Sequence, residues 1–217
     1  MSSFWCKKGK GEVITQSREI EAFKSIDLRG NGTILISRGE NVSLDIETFE
    51  NLFEYINTHV EGDRLVISTR RALCPDKLNF HITMPELENL VINGSGDVFT
   101  RDVMPGDNIR FAINGSGDVR AEVESKGVGI EIDGSGDVRI KGKTTKLLCQ
   151  INGSGDVNCS QLESERAKVD INGSGDCKVF AKEYLKVGIF GSGDVGYRGA
   201  PRIEQDISGS GDIHQLK

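Results

Sequence analysis

The sequence predicts an all-β solenoid, a right-handed parallel β-helix with coils of 18–21 residues and an irregular β-rich start. Three observations carry the prediction. Gly-Ser-Gly-Asp occurs seven times, beginning at Gly94, Gly115, Gly134, Gly153, Gly173, Gly191 and Gly209. The residue two before the first Gly is always Ile: Ile92, Ile113, Ile132, Ile151, Ile171, Ile189 and Ile207. The residue after the Asp is always small and apolar: Val98, Val119, Val138, Val157, Cys177, Val195 and Ile213. A propeller blade needs about 40–50 residues, more than twice this period, whereas short identical repeats suit stacked coils. The hand follows the crossover rule for parallel strands.

Taken in order, residues 1–12 are polar and basic and read as a flexible tail. Residues 13–89 form an irregular start or cap of the stack. Alternating apolar positions there predict strands near 23–29, 33–38, 42–47, 58–60, 64–69 and 78–84. Residues 50–56 carry Leu52, Phe53 and Ile56 and suit one or two helical turns, with Thr48 as candidate cap. Leu28-Arg29-Gly30-Asn31-Gly32-Thr33-Ile34 aligns with Ile92-Asn93-Gly94-Ser95-Gly96-Asp97-Val98, a degenerate eighth copy. Residues 90–217 hold the seven repeats. Apolar residues alternate on both sides of each turn, the period of a strand with one buried face. Polar segments such as 122–129 and 160–168 close the cycles. In the last coil Gln205 and Gln215 take inward positions, which lowers the cost of a wet end. A monomer is therefore viable, with end-to-end association as the alternative.

Two Gly in each turn allow positive φ twice and so a sharp corner. Asn93, Asn114, Asn152 and Asn172 before the turn could stack their amides. Asp97, Asp118, Asp137, Asp156, Asp176, Asp194 and Asp212 would stand one strand spacing apart. Adjacent carboxylates would repel by roughly 0.9 kcal/mol even in water. Backbone N–H groups, the cations Arg120, Arg139 and Lys178, or a ladder of bound Ca²⁺ could offset this. The spacing differs from that of the calcium-binding nonapeptide rolls, so capping by the backbone is the preferred expectation and no cofactor is called for.

The charge of −6 argues against nucleic acid. No apolar run is long enough for a transmembrane helix, and no complete signal peptide is present. Cys6, followed by a polar stretch, is a candidate lipidation site; Cys6 and Cys74 could instead form a disulfide. Cys149, Cys159 and Cys177 replace apolar repeat residues and read as buried hydrophobes. His59, His81 and His214 show no ligand spacing and read as surface or interface residues. Seven identical Ser-bearing turns are poor nucleophiles, since a nucleophile has its own base. No catalytic, cofactor or metal residues are assigned. Arg120, Arg139 and Lys178 form a candidate surface-binding stripe.

The repeated Ile-Asn-Gly-Ser-Gly-Asp-Val, the upstream Glu19-Ile20-Glu21-Ala22-Phe23-Lys24-Ser25-Ile26 and the Met84-Pro85-Glu86-Leu87 lead-in resemble the "putative auto-transporter adhesin, head GIN domain" family of the bacterial envelope. The resemblance implies a β-helical fold, an exported or lipid-anchored location, and an adhesion or binding role with no catalytic residues. The expected function is a non-enzymatic cell-envelope protein that binds a glycan or a cell-surface protein. A polysaccharide lyase or hydrolase on the same scaffold and a self-assembling structural protein are the alternatives.

Overall fold

The structure, a computed structural model, describes residues 6–217. It is the predicted β-solenoid. Among the described residues sixteen strands join into one sheet that wraps around an apolar interior. The repeats lie in five long strands, β9 (Asp97–Gly115), β10 (Val119–Gly134), β11 (Val138–Gly153), β12 (Val157–Gly173) and β13 (Cys177–Gly191). Each pairs in parallel with the next, and the first Gly of each corner stacks on the first Gly of its neighbour. The polar segments 122–129 and 160–168 are continuous strand within β10 and β12. The last coil is made by β14 (Val195–Arg198), β15 (Arg202–Gly209) and β16 (Ile213–Gln215).

The Ile column explains why the coils share one register. Ile92, Ile113, Ile132, Ile151, Ile171 and Ile189 are all fully buried. A one-residue slip would turn each to solvent at about 1.5–3 kcal/mol per side chain. At the last coil the column opens: Ile207 is 36% exposed, and Gln205 and Gln215 are exposed.

The corners have a reason that sequence alone shows only in part. The first Gly of each Gly-Ser-Gly-Asp has φ between +142° and +150°. The second Gly of these copies does not have positive φ. It is required by contact: from Gly117 onward, a Cβ there would lie 2.1–2.2 Å from the carbonyl oxygen of the equivalent Gly one coil back. Both glycines thus let backbones stack directly, and each corner Ser N–H donates to a carbonyl below, as Ser135 does to Gly115 at 2.9 Å.

The start of the stack departs from sequence order. β2 (Ser25–Gly30) and β3 (Thr33–Arg38) lie directly beneath the first full repeat, formed by β8 (Asn89–Gly94) and the start of β9, with Leu28 paired to Ile92, Gly30 to Gly94 and Thr33 to Asp97. This is the degenerate eighth copy, residue for residue. β6 (Arg64–Thr69) and β7 (Leu78–Met84) add a further parallel layer below it. Antiparallel strands β4 (Ser43–Phe49), β5 (Ile56–Glu61) and β1 (Val13–Arg18) finish this end. β1 was not expected, because Val13 and Ile14 are its only apolar residues.

The expected helical turns are a 3-10 turn over Glu50–Tyr55, with Leu52 and Phe53 buried. Thr48 is not its cap; Phe49 holds that position, and the Thr48 hydroxyl donates to the Lys77 carbonyl at 2.8 Å. The flexible tail expected for 1–12 is tethered where it is described: Lys7 hydrogen-bonds Ala72 and Cys74, the Lys10 N–H donates to Asn51, and Cys6 is disulfide-bonded to Cys74. Residues 1–5 lie outside the described residues.

One carboxylate in the cap titrates far from its ordinary range. Glu47 accepts from Lys77 at 2.6 Å and Asn79 at 2.9 Å, with His81 at 3.4 Å. Lys77 first and Asn79 next hold it near 2, below the ordinary 4.5. Its stabilisation is therefore present above the ordinary carboxylate range and is lost as pH falls through about 2. Glu47→Gln is expected to cost about 1–2 kcal/mol at neutral pH and almost nothing near the pH where Glu47 itself protonates. Urea unfolding of both proteins across that range checks this.

Candidate functional site

The corner carboxylates are used internally. In every coil but the last, the Asp Oδ1 accepts the backbone N–H of the Asp one coil later: Asp97 from Asp118 at 3.1 Å, Asp118 from Asp137 at 3.1 Å, and Asp137 from Asp156 at 3.2 Å. Asp156, Asp176 and Asp194 accept from Asp176, Asp194 and Asp212 at 2.8 Å. A charged acceptor strengthens such a bond, which offsets the repulsion along the column. Among the described cations Arg139 alone is placed against it, 3.8 Å from Asp137. Among the described residues no group of three or more His, Cys, Asp or Glu is arranged to hold a metal ion. The Asn residues form a second ladder, Asn114 donating to Asn93 and Asn172 to Asn152, with Asn93 continuing to buried Asp27.

Beside the Asp column, the outward position two residues later forms a rung of its own. It reads Phe99, Arg120, Arg139, Asn158, Lys178, Gly196 and His214 from coil to coil. The stripe expected from sequence is therefore contiguous from Arg120 to Arg139, and Asn158 separates it from Lys178. Arg120 stands over the Phe99 ring, its guanidinium 5.5 Å from the centroid, a stacking that desolvation strengthens. Arg120 and Arg139 line one cleft of about 380 Å³, and Arg139 and Lys178 a smaller one of about 110 Å³.

Two irregularities shape the larger cleft. The ladder shifts between Arg120 and Glu122 where β10 meets β9, and between Arg139 and Lys141 where β11 meets β12. Such bulges re-aim the side chains next to them. The Glu122 N–H that the first shift frees is taken by the Thr100 hydroxyl at 2.9 Å. Lys141 is paired with Glu122 at 2.8 Å. Sequence reasoning did not single out Phe99 or Asn158, although aligning the copies places both in the rung of Arg120.

The remaining candidates sit apart from the cleft. Cys6 is bonded to Cys74, so in this state its sulfur is not available for a lipid thioether. Cys149, Cys159 and Cys177 are buried in the core. Hydrogen bonding to Cys149, then burial, pushes the Cys159 thiol well above its ordinary range, away from reactivity. His59 pairs with Glu61 at 2.8 Å and His81 lies 3.4 Å from Glu47, both in the cap; His214 is exposed on the last rung of the stripe. No helix of the described residues is long and apolar enough to cross a membrane.

Comparison with known proteins follows the same lines. No curated protein matches the sequence. Solved structures match along nearly their whole length. A "putative adhesin" from Bacteroides fragilis NCTC 9343 has a TM-score of 0.92 at 23% identity, covering 96% of this chain and 99% of that one. A "putative lipid binding protein" from Parabacteroides distasonis ATCC 8503 has a TM-score of 0.77 at 24% identity, covering 97% and 99%. A "putative adhesin" from Parabacteroides merdae ATCC 43184 has a TM-score of 0.78 at 22% identity, covering 97% and 98%. At these identities the likeness establishes the fold. The family profile described as "Putative auto-transporter adhesin, head GIN domain" matches residues 22–201, and the chain belongs to that family.

Proposed function

We propose that this protein is a non-enzymatic adhesin of the bacterial cell envelope whose Arg120–Arg139–Lys178 stripe binds an acidic surface glycan. The observation that carries the reading is the cleft itself. Two guanidinium groups stand on adjacent coils of one rung, one stacked on Phe99 and one beside Asp137, on a protein whose net charge is −6. Arg offers a planar fork that matches carboxylate and sulfate oxygens, and coils about 4.8 Å apart present such forks in a row to an extended polymer. The family's adhesin description supports the surface role. A disulfide closing the cap supports a compartment outside the reducing cytosol.

The test is calorimetric titration with polygalacturonate, chondroitin sulfate and neutral dextran. The acidic polymers are expected to bind, with affinity falling as salt rises, and dextran is not. The Arg120→Glu/Arg139→Glu variant is expected to lose at least tenfold. Equal binding by wild type and variant would remove the stripe from the function. Shortening of any acidic polymer during incubation, absent in the variant, would replace this reading with a polysaccharide-active enzyme.

A further inference from the structure

The geometry points to a second binding site, on the face before the corner, that takes a fatty acid: one apolar chain with a single carboxylate. Two neighbouring outward rungs run along this face. One reads Asn108, Gly127, Lys146 and Arg166, and the other Arg110, Gly129, Leu148 and Lys168. β10 therefore presents glycine on both rungs at once. Both glycines line a trough of about 790 Å³ that runs from Glu88 to Lys186, within the size range of small-molecule sites.

These glycines differ in kind from those of the corners. Gly129 is not among the glycines with positive φ, and a Cβ added to it would meet nothing nearer than the Arg110 Cγ at 4.0 Å. The nearest atoms to a Cβ on Gly127 belong to the Asn108 side chain, whose Oδ1 at 2.4 Å would have to swing aside. The backbone requires neither, although glycine inside a strand weakens it. The ladders show no register shift at Gly127 or Gly129 and neither has positive φ, so bulge and bend do not explain them and the close approach of another molecule does. The trough is walled by Leu148, which is 46% exposed on an outward rung.

Charge identifies the polar end of the occupant. Arg110 is paired with Glu131, Lys168 with Asp170, and Lys186, farther along the trough, with Glu204. Lys146 stands beside Leu148 with no acidic partner among the described residues, and Arg166 on the next coil lies 3.9 Å from Glu183. One free ammonium beside an apolar trough complements one carboxylate on an acyl chain. A peptide strand fits less well. The N–H and C=O groups of β10 along the trough are used in its ladders with β9 and β11, so an incoming backbone would find no partners.

Titration of the full chain with dodecanoate, kept below its micellar concentration, tests the proposal, with dodecanol as the uncharged control. Saturable one-to-one binding of dodecanoate is expected, at least tenfold tighter than dodecanol. Gly129→Phe fills the trough without backbone strain; it is expected to weaken both ligands at least tenfold with its melting temperature unchanged. Lys146→Glu is expected to weaken dodecanoate tenfold and leave dodecanol unchanged. Arg120→Glu/Arg139→Glu is expected to leave both unchanged, which separates this site from the glycan cleft. Absence of saturable binding, or undiminished binding by Gly129→Phe, would overturn the site. Equal affinity for dodecanoate and dodecanol would overturn the carboxylate assignment.

Discussion

Gly134→Ala is expected to destabilise the protein by about 3–5 kcal/mol, combining backbone strain with overpacking. The new methyl would sit 2.1 Å from the Gly115 carbonyl oxygen on a backbone at φ +149°. It would push two coils apart at the point where the Ser135 N–H and the Asp118 carboxylate bind them. That loss is a large part of an ordinary domain's stability, so the variant is expected to unfold at much lower guanidinium or to accumulate insoluble. Gly136→Ala has the same 2.1 Å contact, to the Gly117 carbonyl, without the positive φ. It is expected to cost less than Gly134→Ala and still more than 2 kcal/mol, from overpacking alone, roughly. Gly129→Ala is the control and should be neutral or stabilising. If Gly134→Ala unfolded within 0.5 kcal/mol of wild type, roughly the noise of surface substitutions, the direct stacking of corner backbones would be wrong.

Removing the disulfide by Cys6→Ala/Cys74→Ala is expected to cost about 4 kcal/mol, from the entropy of closing so long a loop. The two cysteines are 68 residues apart in sequence. The loss should not spread evenly, because coils in a solenoid contact only their neighbours. Amide exchange is expected to accelerate in β1, β4 and β5, whereas β11 and β12 keep their protection. Uniform acceleration along the whole chain would show that cap and stack unfold as one unit. No acceleration at all would show that the bond constrains nothing.

The fold was legible because the repeat leaves so little freedom. Seven Ile at one position and seven small apolar residues at another can share a core only if the coils stack in register. The degenerate copy was readable for the same reason: Thr33 replaces the Asp, but both glycines and both apolar flanks remain. The cap was less legible. β1 has too few apolar residues to show a period, and it gains its pairing from β4, whose partners run from Leu44 for Arg18 to Phe49 for Val13, beyond the window of about 11–18 residues in which periodicity is read. The second corner glycine was misread as a φ requirement because distance to another coil is invisible in one chain segment. Of the candidate sites, the adjacency of Arg120 and Arg139 followed from register alone. The trough did not, because Gly127 and Gly129 fall in a segment whose polarity and glycine content resemble a loop. Only the continuous strand β10 shows that they stand at outward positions where a side chain is missing.

The Cys6–Cys74 bond also sets how the molecule would carry a mechanical load. The ladder bonds between coils run along the solenoid axis, so tension between the two ends would act on the coils in series and peel them from an end. Force entering at Cys6 passes through sulfur to Cys74 without crossing the intervening chain. The 68-residue separation, roughly 230 Å of extended backbone, is thereby removed from the slack that a pull could draw out. The cap can then be weak in equilibrium terms and still transmit tension, since the route around it is covalent.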